Sequence, residues 1–233
     1  MKTIQIPHTD LVSSKIALGN MRIFQMSVEE VEKLVGTSLD LGINFFDHAD
    51  IYGGGYCEEL FGKVFERNPS WRDKMILQSK NAIVPGKRYD ASYEHILEQV
   101  DTSLSRLKTD HLDVVLLHRP DVLSDPHEIA RAFQDLKQSG KVRYFGVSNY
   151  NVHQMLLLQS ALKEPLITNQ IQLSIVHCPT IDAGFHVNMK DSFANDRDGG
   201  SLRVLSTEAN SCARLVGFPS FLGRRQFLGS SFL

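Results

Sequence analysis

Short apolar runs recur along this chain: IALG at 16–19, NFFD at 44–47, MILQSK at 75–80, DVVLLH at 113–118, RYFGVS at 143–148 and LITNQIQLS at 166–174. Between them lie longer stretches whose apolar residues return every three or four positions, the spacing of one helix face. The first is SVEEVEKLVGTSLDLG, where Ser27 and Glu30 form a capping box. Val31, Leu34 and Val35 make its stripe, and Gly42 supplies a left-handed stop. YCEELFGKVFERN is the second predicted helix. SYEHILEQVDTSLSRL is the third, with Tyr93, Ile96, Leu97, Val100, Leu104 and Leu107 on one face. DPHEIARAFQDLKQSG opens with Pro126 in its first turn and closes on Gly140, and NVHQMLLLQSAL is the fifth. Ahead of them, KTIQI and DLVSSK predict an N-terminal hairpin.

Six strands alternating with five helices read as βα units. DVVLLH, with its unbroken apolar run VVLL, suits a parallel strand covered on both faces. No stretch reads as an interdomain linker. A doubly wound sheet wants a glycine-rich phosphate turn after its first strand, and GGG at 53–55 does not meet that spacing. The expected fold is therefore α/β, a (β/α)8 TIM-type barrel.

Composition narrows the function classes. A chain of 233 residues, 42% hydrophobic and 22% charged, is ordinary globular material long enough to bury a sizeable core. A net charge of -2 argues against a dedicated nucleic-acid binder. No apolar run approaches the roughly 20 residues that span a bilayer, and MKTIQIPHTD lacks a signal-peptide apolar region. Cys57, Cys178 and Cys212 are too few and too scattered for a disulfide framework. A cytoplasmic protein with no nucleic-acid or membrane partner is expected.

The predicted strands end on polar residues: Asp47, Lys80, His118, Ser148 with Asn149, and Asn169 with Gln170. In a (β/α) barrel those ends form the C-terminal mouth, where active sites sit. Taken singly, each has an ordinary explanation. Asp47 suits a helix cap, Tyr52 a packed aromatic, Lys80 a solvent-reaching cation, His118 a bonded core histidine, and Ser148 with Asn149 a helix start. Together they make chemical sense. A lysine beside Tyr52 favours phenolate and is expected to lower its pKa from near 10. An aspartate holds that lysine charged, and a histidine facing the phenol polarises a carbonyl oxygen. Such an acid site suits an oxygen that receives hydride, and no side chain donates hydride, so a nicotinamide or flavin is required.

FFDHADIYGGG, the strand ending at Lys80, LLHRPD, GKVRYFGVSNYN and ITNQIQLSIVH, in that order, closely resemble the aldo-keto reductases. Within that family the chain looks most like bacterial oxidoreductases whose barrel continues IDAGFxVNMK. The resemblance runs from about residue 10 to about 198. It implies Tyr52 as proton donor, Asp47 and Lys80 as its activating pair, and His118 as the group that orients a small carbonyl substrate. It implies that Ser148, Asn149 and Gln170 hold the carboxamide of NADPH, bound without a Rossmann fold and without metal.

After RDGG the resemblance stops. The family would next supply two further βα units, carrying an aromatic that stacks on the nicotinamide, a phosphate loop and basic residues for the 2′-phosphate. Residues 201–233 are too few for two crossover units, each of which takes about 30 residues. They contain no Lys, Asp, Ile, Tyr or His, and show neither a helical stripe nor a credible strand pair. The expected division is a barrel-like unit over 1–198 and a divergent tail over 199–233. A shifted reading frame or truncated gene is the favoured origin of the tail; the alternative is a genuine short segment covering the barrel differently. An incomplete barrel of about six strands would leave two open edges that invite self-association. Phe218, Phe221, Leu222, Phe227, Leu228, Phe232 and Leu233 are candidates to patch the gap.

Three functional readings stand at this point. The first is NADPH-dependent reduction of aldehydes or ketones, and the second an impaired remnant that has lost its cofactor grip. The third, ranked lowest, is a metal-dependent hydrolase using Asp47, His48, Asp50 and His118; the first strand, IALG, lacks the paired histidines such sites use.

Overall fold

Alternation along the strands decides the architecture, because successive side chains leave a strand on opposite faces. The computed structural model describes residues 1–174, 178–186, 189–194 and 212–216. Strands β1 (Thr3–Gln5) and β2 (Val12–Ser14) pair antiparallel as the expected hairpin. Then come β3 (Ala17–Gly19), α1 (Val28–Asp40), β4 (Phe45–Asp47), α2 (Tyr56–Arg67) and β5 (Ile76–Asn81). A small ribbon of β6 (Ile83–Val84) and β7 (Arg88–Tyr89) precedes α3 (Tyr93–Leu107) and β8 (Leu112–Leu117). The series continues with α4 (Pro126–Gln138), β9 (Val142–Ser148), α5 (Val152–Ala161), β10 (Thr168–Gln172), α6 (Pro179–Phe185) and β11 (Cys212–Val216).

The main sheet runs β11-β10-β9-β8-β5-β4-β3, and every neighbouring pair is parallel. This is the wall of a (β/α) barrel, laid down in chain order. Its curl can be read from one contact. In a flat sheet β4 and β10, four positions apart, would stand about 19 Å from each other. Instead the Gln170 amide Nε2 lies 3.2 Å from Asp47 Oδ2, so both side chains project into one interior.

Two cores result. Phe46, Leu77, Val115, Leu117, Phe145 and Val147 face outward and pack beneath the helices, against Val31, Val35, Leu60, Phe61, Val64, Ile96, Val100 and Phe133. Phe45, Ile76, Val114, Leu116 and Ile167 face inward, and Ile6 and Leu11 from the N-terminal hairpin close this smaller core from below. Helix boundaries follow the sequence signals. Ser27 and Glu30 close a capping box at α1, Asn151 and Gln154 do the same at α5, and the Asp125 carboxylate accepts from the His127 N–H at α4. Gly42 is left-handed at φ +78°; α3 ends instead on Lys108 at φ +55°.

The tail departs from the sequence reading at one place. About six barrel strands were expected, with no credible strand pair inside residues 201–233; Cys212–Val216 adds a seventh strand to the sheet, β11, in register with Thr168–Gln172 of β10. The physical reason is the edge itself. An uncovered parallel strand presents a row of unpaired N–H and C=O groups, which an extended segment satisfies whatever its intrinsic preference. The edge expected beside the sixth strand is therefore covered, and β3 and β11 are the outermost strands among the described residues. Helix α6, the β6–β7 ribbon and the short 3-10 turns were not anticipated. The proposed patch residues from Phe218 to Leu233 lie outside the described residues, as does most of the 199–233 segment. No helix among the described residues is long and apolar enough to cross a membrane.

Candidate active site

Above the inner apolar core the barrel interior turns polar. Strand β4 points Phe45 inward and down, Phe46 outward, and Asp47 inward at its C-terminal end. On β5 the same alternation turns Ile76, Gln78 and Lys80 inward, and Leu77 and Ser79 toward the helices. The Lys80 ammonium is almost wholly buried, and each of its three N–H groups has a partner. They are Asp47 Oδ1 at 2.6 Å, the His48 carbonyl at 2.8 Å and the Tyr52 hydroxyl at 3.0 Å. Burial opposes the ammonium, but the Asp47 carboxylate and the Tyr52 oxygen outweigh it, so the Lys80 pKa lies above its ordinary value. Lys80 is a fixed cation.

Tyr52 reaches this cation from the loop after β4, whose turn places Gly53, Gly54 and Gly55 in succession at φ +59°, +67° and +96°. Glycine, lacking a Cβ, adopts three consecutive left-handed conformations at little cost, whereas any other residue would be strained there. The run GGG thus exists to fold the chain back sharply between Tyr52 and α2. The His118 ring stands edge-on to the Tyr52 ring, with centroids 5.9 Å apart. Burial, then the Lys80 and Arg119 charges, push His118 down to about 3, so it is a neutral imidazole at physiological pH.

One expectation about Tyr52 is corrected. The Lys80 charge was expected to bring the phenol below its ordinary value. Burial of the ring raises it by more than Lys80 lowers it, and Asp47 behind the lysine adds to the rise. Tyr52 is held firmly as the protonated phenol.

The remaining predicted residues line the opposite wall. Ser148 ends β9, and its hydroxyl donates to the Gln170 carbonyl at 2.9 Å. Asn149 follows at φ +59° and donates from Nδ2 to Ser148 Oγ at 2.9 Å. The Gln170 side chain points deeper, toward the carboxylate. Its Nε2 lies 3.2 Å from Asp47 Oδ2, and its Oε1 accepts from Gln78 Nε2 at 2.8 Å. The structure thus brings Asp47, Tyr52, Lys80 and His118 together, with Ser148, Asn149 and Gln170 across from them.

Sequence reasoning missed Gln78, which donates to Asp47 Oδ1 at 2.5 Å as well as to Gln170 and so ties the two walls together. The signal was present: Gln78 is two residues before Lys80, on the same strand face. His48, one residue after Asp47, faces the other way. Its Nε2 sits 2.9 Å from Asn20 Nδ2, and its ring is edge-on to Phe61 at 4.5 Å. Asp47, His48, Asp50 and His118 therefore do not converge. Among the described residues no group of three His, Cys, Asp or Glu is placed to hold a metal ion.

Comparison with known proteins agrees with this fold. The model of the Aldo/keto reductase family matches residues 15–185. The uncharacterized oxidoreductase YcsN of Bacillus subtilis is 46% identical over 185 residues, covering 75% of this chain and 61% of its own. Oxidoreductase YdhF of Escherichia coli is 43% identical over 177 residues, covering 72% and 59%. Among solved structures, the holo form of aldo-keto reductase AKR11C1 from Bacillus halodurans superposes with a TM-score of 0.66 at 31% identity, covering 75% of this chain and 58% of that one. The chain thus spans about three fifths of the length of the curated relatives it matches.

Proposed function

Because this chain belongs to the aldo/keto reductase family, we propose that it is an oxidoreductase that uses NADPH to reduce the carbonyl of a small aldehyde or ketone to an alcohol, with Tyr52 as proton donor. The observation that carries the reading is the saturated Lys80 ammonium, locked between Asp47 and the Tyr52 hydroxyl at the barrel mouth. Tyr52 gives its proton to the carbonyl oxygen as that oxygen gains negative charge. An alkoxide is far more basic than a phenolate, so a phenol held above its ordinary pKa still donates to it. Lys80 then faces the tyrosinate and stabilises the charge, and Asp47 keeps Lys80 from becoming the proton source. His118, neutral, donates one ring N–H to the same carbonyl oxygen and orients it.

The donor set opposite Tyr52 fits a nicotinamide. Ser148 offers a hydroxyl and Asn149 a side-chain amide, and Gln170 has one amide N–H left after its bond to Asp47. These three residues would hold the carboxamide. When bound, the nicotinamide supplies the hydride that the side chains lack. The setting is taken as cytoplasmic. Self-association through strand pairing at the outer sheet edges belongs to the same proposal, and a monomer by sedimentation at micromolar concentration would count against it.

The competing reading is a reductase-like chain that keeps its acid site and binds cofactor poorly. The test is carbonyl-dependent oxidation of NADPH by the purified chain and by its Tyr52→Phe variant. Turnover that falls about 10²- to 10⁴-fold in the variant supports the proposal. A folded chain that binds NADPH yet turns over equally in both forms rejects Tyr52 as donor, and one that binds no NADPH supports the remnant.

A further inference from the structure

Behind the barrel wall, outside the site described above, three ionisable groups are packed together. Glu58, fully buried on α2, accepts the Ser79 hydroxyl at 2.6 Å; Ser79 is the neighbour of Lys80 on β5 and faces outward. Arg106, in the last turn of α3, brings its Nη1 to 3.6 Å from Glu58 Oε2 and donates from the same atom to the Asp50 carbonyl at 3.1 Å. Asp50, two residues before Tyr52, is buried, its N–H donates to the Lys80 carbonyl at 3.0 Å, and its Oδ1 has no hydrogen-bond partner.

The fit around Arg106 is tight on two sides. A Cβ at Gly55 would stand 2.4 Å from the guanidinium carbon, and one at Gly62 would stand 2.1 Å from the Arg106 carbonyl oxygen. Gly55 thus serves two purposes, the left-handed turn and the seat for the guanidinium. Burial raises the Glu58 pKa, and the Ser79, Ser103 and Arg106 contacts oppose it only in part. Burial and the neighbouring Glu58 push Asp50 up to about 7. A cluster with two acids and one cation in so little water needs the cation: without Arg106, Glu58 has only hydroxyl partners.

We propose that Arg106, anchored by Glu58, is a positioning residue that fixes Tyr52 against Lys80 from outside the barrel. One guanidinium joins α2, α3 and the Asp50–Gly55 loop, while Glu58 joins that assembly to the strand carrying Lys80. The donor and the cation it must meet lie on different segments, β5 and the loop after β4, and this cluster is bonded to both. Arg106 touches neither substrate nor nicotinamide in this account; it acts through the loop. The inference rests on the reading of Tyr52 as proton donor.

The test reads Tyr52 without turnover as well as with it. The chain is labelled with 3-fluorotyrosine, and the Tyr52 resonance is assigned by its loss in Tyr52→Phe. In Arg106→Met the Tyr52 signal is expected to shift or broaden while that of Tyr89, exposed on the β6–β7 ribbon, stays in place. Arg106→Lys, which keeps a cation for Glu58 and a donor for Asp50, is expected to restore the signal substantially. In Glu58→Gln, which keeps the Ser79 partner without the charge, the signal should move the same way as in Arg106→Met, and this variant serves if Arg106→Met does not fold. In turnover, kcat should fall roughly 10- to 100-fold with KM for NADPH within about twofold, the pattern of a displaced reacting group. A Tyr52 resonance at its wild-type position in both folded variants overturns the proposal, as does an equal response to methionine and lysine at 106. Absence of turnover in the wild-type chain with the Tyr52 response intact rejects the reductase reading and leaves the positioning role standing.

Discussion

Replacing Lys80 by methionine isolates the energetics of the proposed site from its chemistry. The ammonium is 2% exposed and its partner Asp47 is 6% exposed, and they meet at 2.6 Å. Methionine is close in length and apolar, so packing is largely kept while the charge is lost. What remains is a buried Asp47 carboxylate with only the Gln78 and Gln170 amides as partners, together with a His48 carbonyl and a Tyr52 hydroxyl that have each lost a donor. Breaking a buried pair by removing one partner costs about 3–5 kcal/mol. Domains are stable by only about 5–15 kcal/mol, so the loss consumes a large share. The urea midpoint at pH 7 should fall by roughly 1 to 3 M, with the slope unchanged. Asp47→Asn combined with Lys80→Met removes the stranded charge, and should recover at least about 1 kcal/mol relative to Lys80→Met alone. A Lys80→Met unfolding free energy within about 1 kcal/mol of wild type, or a double variant no better than the single, would refute a dry, fully engaged ion pair at the barrel mouth.

Other expectations follow from the same contacts. His48 and His118 are both pushed down to about 3 from an ordinary value near 6.5. The unfolded chain therefore binds protons that the folded chain refuses. Their contribution is complete above about pH 6.5 and is lost as pH falls toward 3, at up to about 2.7 kcal/mol per unit for the pair; urea midpoints at pH 7, 6 and 5 in an Asp50→Asn/Glu58→Gln background, which removes the opposing buried acids, measure it, and a flat profile there contradicts it. Asp50 has the opposite sign. Raised to about 7, it favours the folded state below about pH 4, and that contribution is lost as pH rises through 7. Asp50→Asn should thus match wild type near pH 4 and exceed it at pH 8 by roughly 1–4 kcal/mol; a variant weaker than wild type at both values overturns the assignment. Phe61, packed at 5.8 Å from Phe46, 5.1 Å from Phe65 and 4.5 Å from His48, should cost about 3–5 kcal/mol when cut to alanine, read from the same urea curves.

The barrel was legible because its signals are local. A capping box at Ser27, a proline at the start of α4, glycine stops and six apolar runs each declare themselves within a few residues. The site was legible for a related reason: polar residues closing apolar strands have few structural uses, and a barrel gathers them at one end. What escaped depends on contacts between distant segments. Gln78 reads as an ordinary polar residue until curling brings β10 within reach of β4. The rise in the Tyr52 pKa depends on how deeply the ring is buried, which a list of neighbouring charges does not reveal. Arg106 lies 56 residues from Asp50 in sequence, so no local pattern reveals their contact. The β11 strand was missed because a sheet edge, rather than the preference of CARLV itself, recruits it.

The most direct test of the whole account is a calorimetric titration of NADPH into the purified 233-residue chain, alongside its Ser148→Ala/Asn149→Ala variant. The account expects saturable binding by the wild-type chain, about tenfold or more weaker in the double variant, with both proteins folded. A folded wild-type chain that releases no binding heat at any temperature and does not quench NADPH fluorescence would contradict it.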